Sequence, residues 1–393
     1  MIKRIFHTVT RLWANNDAPR WSFFYIAFII FIGIFSFLIA NNKPIICKYN
    51  DKIIFPIFRH HRDLSTISPW KKRQFDWAIW PIIRYLPEDI DLHSMHAPPF
   101  PLAKDSSGAP HYLGTDELGR DVAAGIIHGT FISLFIGIGA MLISLIIGLT
   151  FGLTSGYWGN HQLYINRFAF VLYLLGIPYL ILWFTSSRWI DEGAAYWRNI
   201  GMISLIVVAV GFGMKWLTKN YDKRIRFPIE RYVMDFIQLF SSIPGSFILL
   251  VLLSGFLPPS LWSVVAIIGG LGWTRIANLA RAETLRVRRS NYVNNAKLMG
   301  LSDTNILLNY ILPAVWPTVL IHSIFMISSA IRLESTISFL GLGLNGTFVT
   351  WGSLLASARN NINAWWLMLF PGLILFLTIY CLHLVAQGSK KKH

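Results

Sequence analysis

Charge is what this sequence has least of. Only 14% of its 393 residues are charged, against 54% hydrophobic. A soluble domain of this length would carry about 25% charged residues. The deficit excludes an ordinary soluble fold and points to a membrane protein. Acid is scarcer than base, with 19 Asp and Glu against 35 Lys and Arg and a net charge of +16. Nucleic-acid binders gather such charge on one basic face interleaved with stacking aromatics. Here the basic residues fall between apolar runs, so the excess reads as membrane topology and no nucleic-acid partner is expected. Cysteine is nearly missing. Cys47 and Cys381 lie far apart in the chain, which argues against a disulfide framework, and no CxxC spacing offers a metal site. No GxxxxGK[ST] stretch occurs, so the chain is not expected to hydrolyse ATP itself. No HExxH or paired-carboxylate cluster marks a membrane-embedded enzyme.

What is present is a series of apolar runs. A helix needs roughly 20 apolar residues to cross a hydrocarbon core of about 30 Å. The runs 21–40, 131–154, 168–187, 199–217, 236–257, 261–280, 314–331 and 365–386 are candidates. Helices satisfy their own backbone hydrogen bonds in lipid, so the expected class is an all-α polytopic membrane protein with eight spans. The first run, WSFFYIAFIIFIGIFSFLIA, follows Lys3, Arg4, Arg11 and Arg20. It exceeds the apolar stretch of about 7–15 residues in a signal peptide and lacks an A-x-A site. It is therefore expected to be an uncleaved anchor at 21–40.

Charge between the runs sets the orientation. With the N-terminus inside, the pieces 1–20, 154–167, 215–235, 274–310 and 386–393 face the cytoplasm. They carry net charges of +3, +1, +3, +4 and +3, which leaves the outward pieces only +2 of the total +16. That asymmetry follows the positive-inside rule, with both termini cytoplasmic. The division is then a cytoplasmic N-terminus at 1–20, an external loop at 41–130, a transmembrane domain at 131–386 and a basic tail at 387–393. The external loop is nearly neutral and rich in Pro and aromatics (SPW, HAPPFPLAK), so it is expected to be an ordered cap.

One long polar segment interrupts this apolar chain on the cytoplasmic side, NYVNNAKLMGLSDTNILLNYILPAVWP at 291–317. Tyr292, Ala296 and Met299 fall at i, i+4 and i+7, one face of a helix. Gly300 suits the left-handed residue that ends a helix, and Ser302 or Asp303 can cap the next one. Pro313 starts or kinks the following span. On residues alone this is a short amphipathic helix. It either lies on anionic lipid or docks another subunit.

The segment resembles the EAA loop of bacterial ABC-importer permeases, whose pattern is E-A-A, three residues, Gly, a spacer and I-x-L-P. Ala296, Gly300, Leu312 and Pro313 match it. Asn294 stands where Glu is usual, Asn295 where Ala is usual, and Tyr310 replaces the Ile. Three further stretches are similar to the C-type permeases of dipeptide and oligopeptide importers. They are HYLGTDELGRDVAAGIIHGTFISLFIGIGA at 111–140, ERYVMDFIQLFSSIPGSFILLVLL at 230–253, and ESTISFLGLG with WGSLLASARN and AWWLMLFPGLILFLTI through 379. LIANNKPIICKYNDKIIFPIFR also resembles the Yej-type branch, which imports peptides and the peptide-nucleotide antibiotic microcin C. The resemblance implies an ABC importer permease fold with a six-span core, so the pair of runs at about 160–227 is an insertion. It implies an inner-membrane importer subunit for peptides, with ATP and Mg held elsewhere, on partner ATPases, and no cofactor in this chain. The implied partners are a B-type permease subunit, two ATPase subunits, an extracytoplasmic substrate-binding protein and membrane lipid. Tyr292, Asn294, Asn295, Ala296, Lys297, Gly300 and Asp303, within 290–303, would couple to the ATPases.

Other candidates rest on the residues themselves. Asp116, Glu117, Arg120 and Asp121 crowd the outer mouth of the second span. They either contact a partner or cap the helix through Thr115 or Asp116. Arg332 and Glu334 lie near the outer end of a span. Ionisable residues there pair or line a pathway, although two residues two apart do not face each other on a regular helix. Asp235 opens another span, either favouring a helix N-terminus or touching substrate. Arg275 is expected to snorkel to headgroups. The histidines of the external loop (His60, His61, His93, His96, His111) show no clear ligand spacing, so no metal site is expected. The alternative from another class is a self-sufficient secondary transporter or channel. It would need internal repeats and midplane charges, and no repeat is visible.

Overall fold

Long apolar stretches become long helices. The structure, a computed structural model, describes residues 18–49, 52–57, 75–100, 109–159, 163–166, 224–242, 244–245, 247–248, 260–343, 348–361 and 363–390. In chain order its main helices are α1 (Arg20–Ile34), α2 (Val122–Trp158), α3 (Ile229–Ser242), α4 (Leu261–Arg288) and α5 (Asn291–Leu298). Then come α6 (Asp303–Phe339), α7 (Trp351–Ala358) and α8 (Trp365–Lys390). Among the described residues, α2, α4, α6 and α8 are long and apolar enough to cross a membrane. This is a mostly helical, multi-pass membrane protein.

Several boundaries differ from the sequence expectation. α2 begins at Val122, inside the stretch assigned to the external loop 41–130, and has 37 residues. At about 1.5 Å per residue it is about 55 Å long, well beyond the hydrocarbon core. α6 also has 37 residues and begins at Asp303, against an apolar run of 314–331. α1 has only 15 residues; the helix breaks at Phe35 and resumes over Ser36–Ile39. The tail 387–393 starts inside α8, which runs to Lys390. The run at 236–257 is helical through Ser242 in α3, and 249–259 lie outside the described residues. So do the runs 168–187 and 199–217.

The expectation of an all-α fold is corrected by two small sheets among the described residues. The segment 41–130, expected as an external loop, carries a three-stranded antiparallel sheet of β1 (Ile46–Tyr49), β2 (Lys52–Ile54) and β3 (Trp77–Ile79), in the order β2-β1-β3. Cys47 pairs with Ile54 on one side and Ala78 on the other. Outside the hydrocarbon region, water and neighbouring strands can satisfy an extended backbone, so the helix-or-barrel rule of the membrane does not apply.

The residues Thr154–Phe236 form a compact unit of their own. Within it, β4 (Leu163–Asn166) and β5 (Arg224–Phe227) pair antiparallel, with Leu163 opposite Phe227. The stretch 167–223 thus leaves and returns through adjacent strands.

In the other unit, the core lies where α2, α4 and α6 meet. Ile136, Ala140, Val265, Ile268, Met326 and Ala330 are buried there together. Association in lipid gains from close backbone approach, which small residues permit. A side chain at Gly152 would meet the Ala277 carbonyl oxygen at 2.7 Å, and one at Gly148 the Trp273 oxygen at 2.9 Å. Ser144 Oγ donates to the Gly269 oxygen at 2.6 Å across the same seam. α1 packs on α8 through Tyr25, whose hydroxyl lies 3.2 Å from Thr378 Oγ1, and through Trp21 stacked on Tyr380. Phe24 and Phe28 of α1 and Phe376 of α8 are exposed, which suits a lipid-facing surface.

Candidate functional site

The polar segment at 291–317 folds as helix, turn, helix. α5 ends in a Schellman turn. The Leu301 N–H donates to the Ala296 oxygen at 3.3 Å, and the Gly300 N–H to the Lys297 oxygen at 3.0 Å. Gly300 has φ +74°, the left-handed geometry this motif places after the helix cap. Ser302 occupies the cap position of the next helix as expected, but its side chain makes no cap bond. From Asp303 the chain is helical to Phe339, through a π turn at Leu307–Ile311. Pro313 follows that turn and has no N–H to give to Asn309, so the backbone widens there. Four residues, Met299 to Ser302, are all that separate α5 from a membrane-crossing helix.

The expected face of α5 is corrected. Val293 and Ala296, three apart, are the buried residues. Tyr292 and Met299, which the i, i+4, i+7 reading put with Ala296, face outward. Tyr292 is 46% exposed, Leu298 87% and Met299 69%. Asn294, Asn295, Gly300 and Asp303 are exposed as well. Burial first, then the charge of Arg288, pushes the Lys297 pKa below the usual lysine value, and Asp303 offsets part of this. The outward stripe combines amides with three large apolar groups in exposed positions. Leu298 escaped the sequence reading. Its signal was three-residue spacing from Asn295, on the side opposite Val293.

At the N-terminus of α2 the structure gathers Asp116, Glu117, Arg120 and Asp121 into one loop. Asp116 is buried, and its carboxylate accepts from the Leu118 and Arg120 N–H groups at 2.9 Å each and from Arg120 Nε at 2.7 Å. The helix cap is Asp121, not Thr115 or Asp116. Its Oδ1 accepts from the Ala124 N–H at 2.7 Å, while Oδ2 lies 2.9 Å from His111 Nδ1. Thr115 is occupied otherwise, donating to the Ser94 oxygen and accepting from the Ala97 N–H. Buried His111 also stacks on Tyr85, 4.2 Å between ring centres. Glu117 reaches outward and accepts from Asn360 Nδ2 at 3.1 Å. With Arg120 and Arg359 it lines a shallow cavity of about 260 Å³. Among the described residues no group of three His, Cys, Asp or Glu gathers as metal ligands; His60 and His61 lie outside them.

The remaining candidates separate. Glu334 is 3% exposed and accepts from Ser338 Oγ at 2.7 Å. Arg332 points the other way, into a cavity of about 500 Å³ between the end of α3, α4 and α6. Arg275 lines the same cavity instead of being set apart at a helix end. Asp235 sits in the second turn of α3, exposed, 4.0 Å from Arg231 one turn back. The acid in the first turn is Glu230.

Long apolar helices, a polar turn continuous with one of them and a cavity that holds two arginines between the helices are the features set beside known proteins. Residues 223–392 match the family described as a binding-protein-dependent transport system inner membrane component. That match spans the C-terminal part of the chain, from β5 through α8. It is 26% identical over 378 residues to the inner membrane ABC transporter permease protein YejE of Escherichia coli (strain K12). That match covers 93% of this chain and 88% of that protein. The peptidoglycan transport system permease protein YejE of Agrobacterium fabrum is 24% identical, covering 95% and 88%. The oligopeptide transport system permease protein OppC of Salmonella typhimurium is 29% identical over 163 residues, 41% of this chain and 54% of that protein. These relatives are named as permeases of an ABC transporter, a peptidoglycan transport system and an oligopeptide transport system, in keeping with the resemblance to peptide-importer permeases.

Proposed function

We infer that this chain is one of two membrane subunits of an ATP-driven peptide importer. A B-type permease would supply the other half of the path, two ATPase subunits would hold ATP and Mg, and an extracytoplasmic binding protein would deliver substrate. The observation that carries this reading is the outward stripe of α5 on a helix that continues, after one tight turn, into a membrane span. An apolar stripe of Tyr292, Leu298 and Met299 exposed beside Asn294 and Asn295 suits a groove on a partner. Asn294 can hydrogen-bond where the related loops carry a carboxylate.

The mechanism follows from stiffness. Closure of two ATPases around ATP displaces α5. The Schellman turn at Gly300 passes that displacement to α6 with few free dihedrals in between. α6 packs on α4 and α8, and discrete helix packings give outward-open and inward-open states. Both termini and α5 would lie in the cytoplasm, as the charge asymmetry indicates.

The test is co-purification. With only this chain tagged and its presumed partners co-expressed, retained ATPase activity is measured for the native chain and for Gly300→Pro. Proline cannot adopt φ +74°, so the turn is lost. Retention that disappears in the variant supports the reading. Retention unaltered by the substitution moves the docking site elsewhere, and absence of retention by the native chain overturns the reading.

A further inference from the structure

We propose that Arg275 and Arg332 form a two-step carboxylate ladder in this chain's half of the translocation path. The proposal rests on the importer reading and specifies the substrate chemistry of that path. Both arginines line the same cavity of about 500 Å³, together with Thr274, Asn278, Ser329 and Thr336. No acidic side chain is among the described residues that line it. Among the described residues Arg332 reaches Ser329 Oγ, at 3.4 Å. Glu334, two residues on, is turned away and satisfied by Ser338. Two arginines with no acid among the described residues around them are costly wherever they face hydrocarbon. They persist where water or an anionic ligand meets them. The cavity size falls within the range of about 300–1,000 Å³ that holds small ligands.

Helix geometry sets the spacing. α4 and α6 run antiparallel, and Met326 fills the space beside Gly272. Arg275 lies three residues beyond Gly272, and Arg332 lies six beyond Met326 in the opposite direction along the bundle. Nine helical rises separate their backbone positions along the bundle, about 14 Å. Their side chains reach into one cavity from these two levels, so a carboxylate entering at one arginine can be handed to the other. Guanidinium groups suit the task because they bind carboxylates in a bidentate, planar fashion. Every linear peptide carries one such group at its C-terminus, so the ladder reads a feature common to peptides of different sequence.

The assembled complex with its binding protein, in proteoliposomes, tests this. ATP-dependent uptake is compared for one tripeptide as its free acid, as its C-terminal amide, and as the amide with a Glu side chain. The chains compared are native, Arg275→Gln, Arg332→Gln and the corresponding Lys substitutions. Selectivity from the binding protein is common to all, so the readout is the change in the acid-to-amide ratio. The expected result is a fall of about tenfold or more in that ratio with either Gln substitution, partly restored by Lys. Recovery of uptake by the Glu-containing amide assigns the ladder to carboxylates generally; its failure to recover assigns it to the terminal carboxylate. An unaltered ratio in both Gln variants, with uptake intact, overturns the ladder and leaves the importer reading standing. No ATP-dependent uptake of any peptide by the native complex overturns both.

Discussion

The loop at 115–121 and helix α5 are both polar, and they spend their polarity in opposite ways. The loop turns it inward. Asp116 accepts three hydrogen bonds and Asp121 holds both a helix end and His111. Helix α5 buries only Val293 and Ala296 and leaves its amides, Tyr292, Leu298 and Met299 facing out. A dense cluster of charges can thus be architecture, while a nearly uncharged helix offers the unspent surface. Satisfaction of hydrogen bonds separates the two, and charge density does not.

Substitutions can break this contrast. The largest expected loss of stability is at Asp121→Ala. It removes a helix cap, typically about 1 kcal/mol, and leaves buried His111 without its partner, about 1–3 kcal/mol more. Thermal unfolding of the purified complex should fall accordingly. Gly300→Ala comes next, at about 1–2 kcal/mol, because a Cβ is disfavoured in the left-handed region although nothing crowds the site. Denaturation midpoints check this. Leu298→Asp should shift stability by no more than about 0.5 kcal/mol, as a surface change, while lowering ATPase retention by about tenfold. Ser302→Ala should alter neither, since that side chain makes no cap bond. A drop at Ser302 comparable to that at Asp121 would erase the distinction between the two regions.

Much of this was legible in the sequence. The runs at 131–154, 261–280, 314–331 and 365–386 coincide with α2, α4, α6 and α8 because apolar length is a strong signal. Gly300 was legible because few residues take positive φ. The external sheet was not, since strands of three or four residues among prolines and aromatics show no alternation. The face of α5 was misjudged because an eight-residue helix allows both i, i+3 and i, i+4 apolar spacings, and tertiary packing chose Val293. Arg332 and Glu334 could be separated in sequence by their spacing, but which one meets the cavity depends on α4 and α7. Asp121 as the cap needed the true start of α2, nine residues before the apolar run.

The most direct test of the docking surface uses single cysteines. Native Cys47 and Cys381 are free and buried, so background reaction is low. In the assembled complex, Leu298→Cys and, as an external control, Glu117→Cys are treated with a short thiol–amine crosslinker. The account predicts a crosslink from position 298 to an ATPase subunit and none from position 117. A crosslink to the ATPase from 117, or none from 298 in a complex that retains its ATPase, would contradict it.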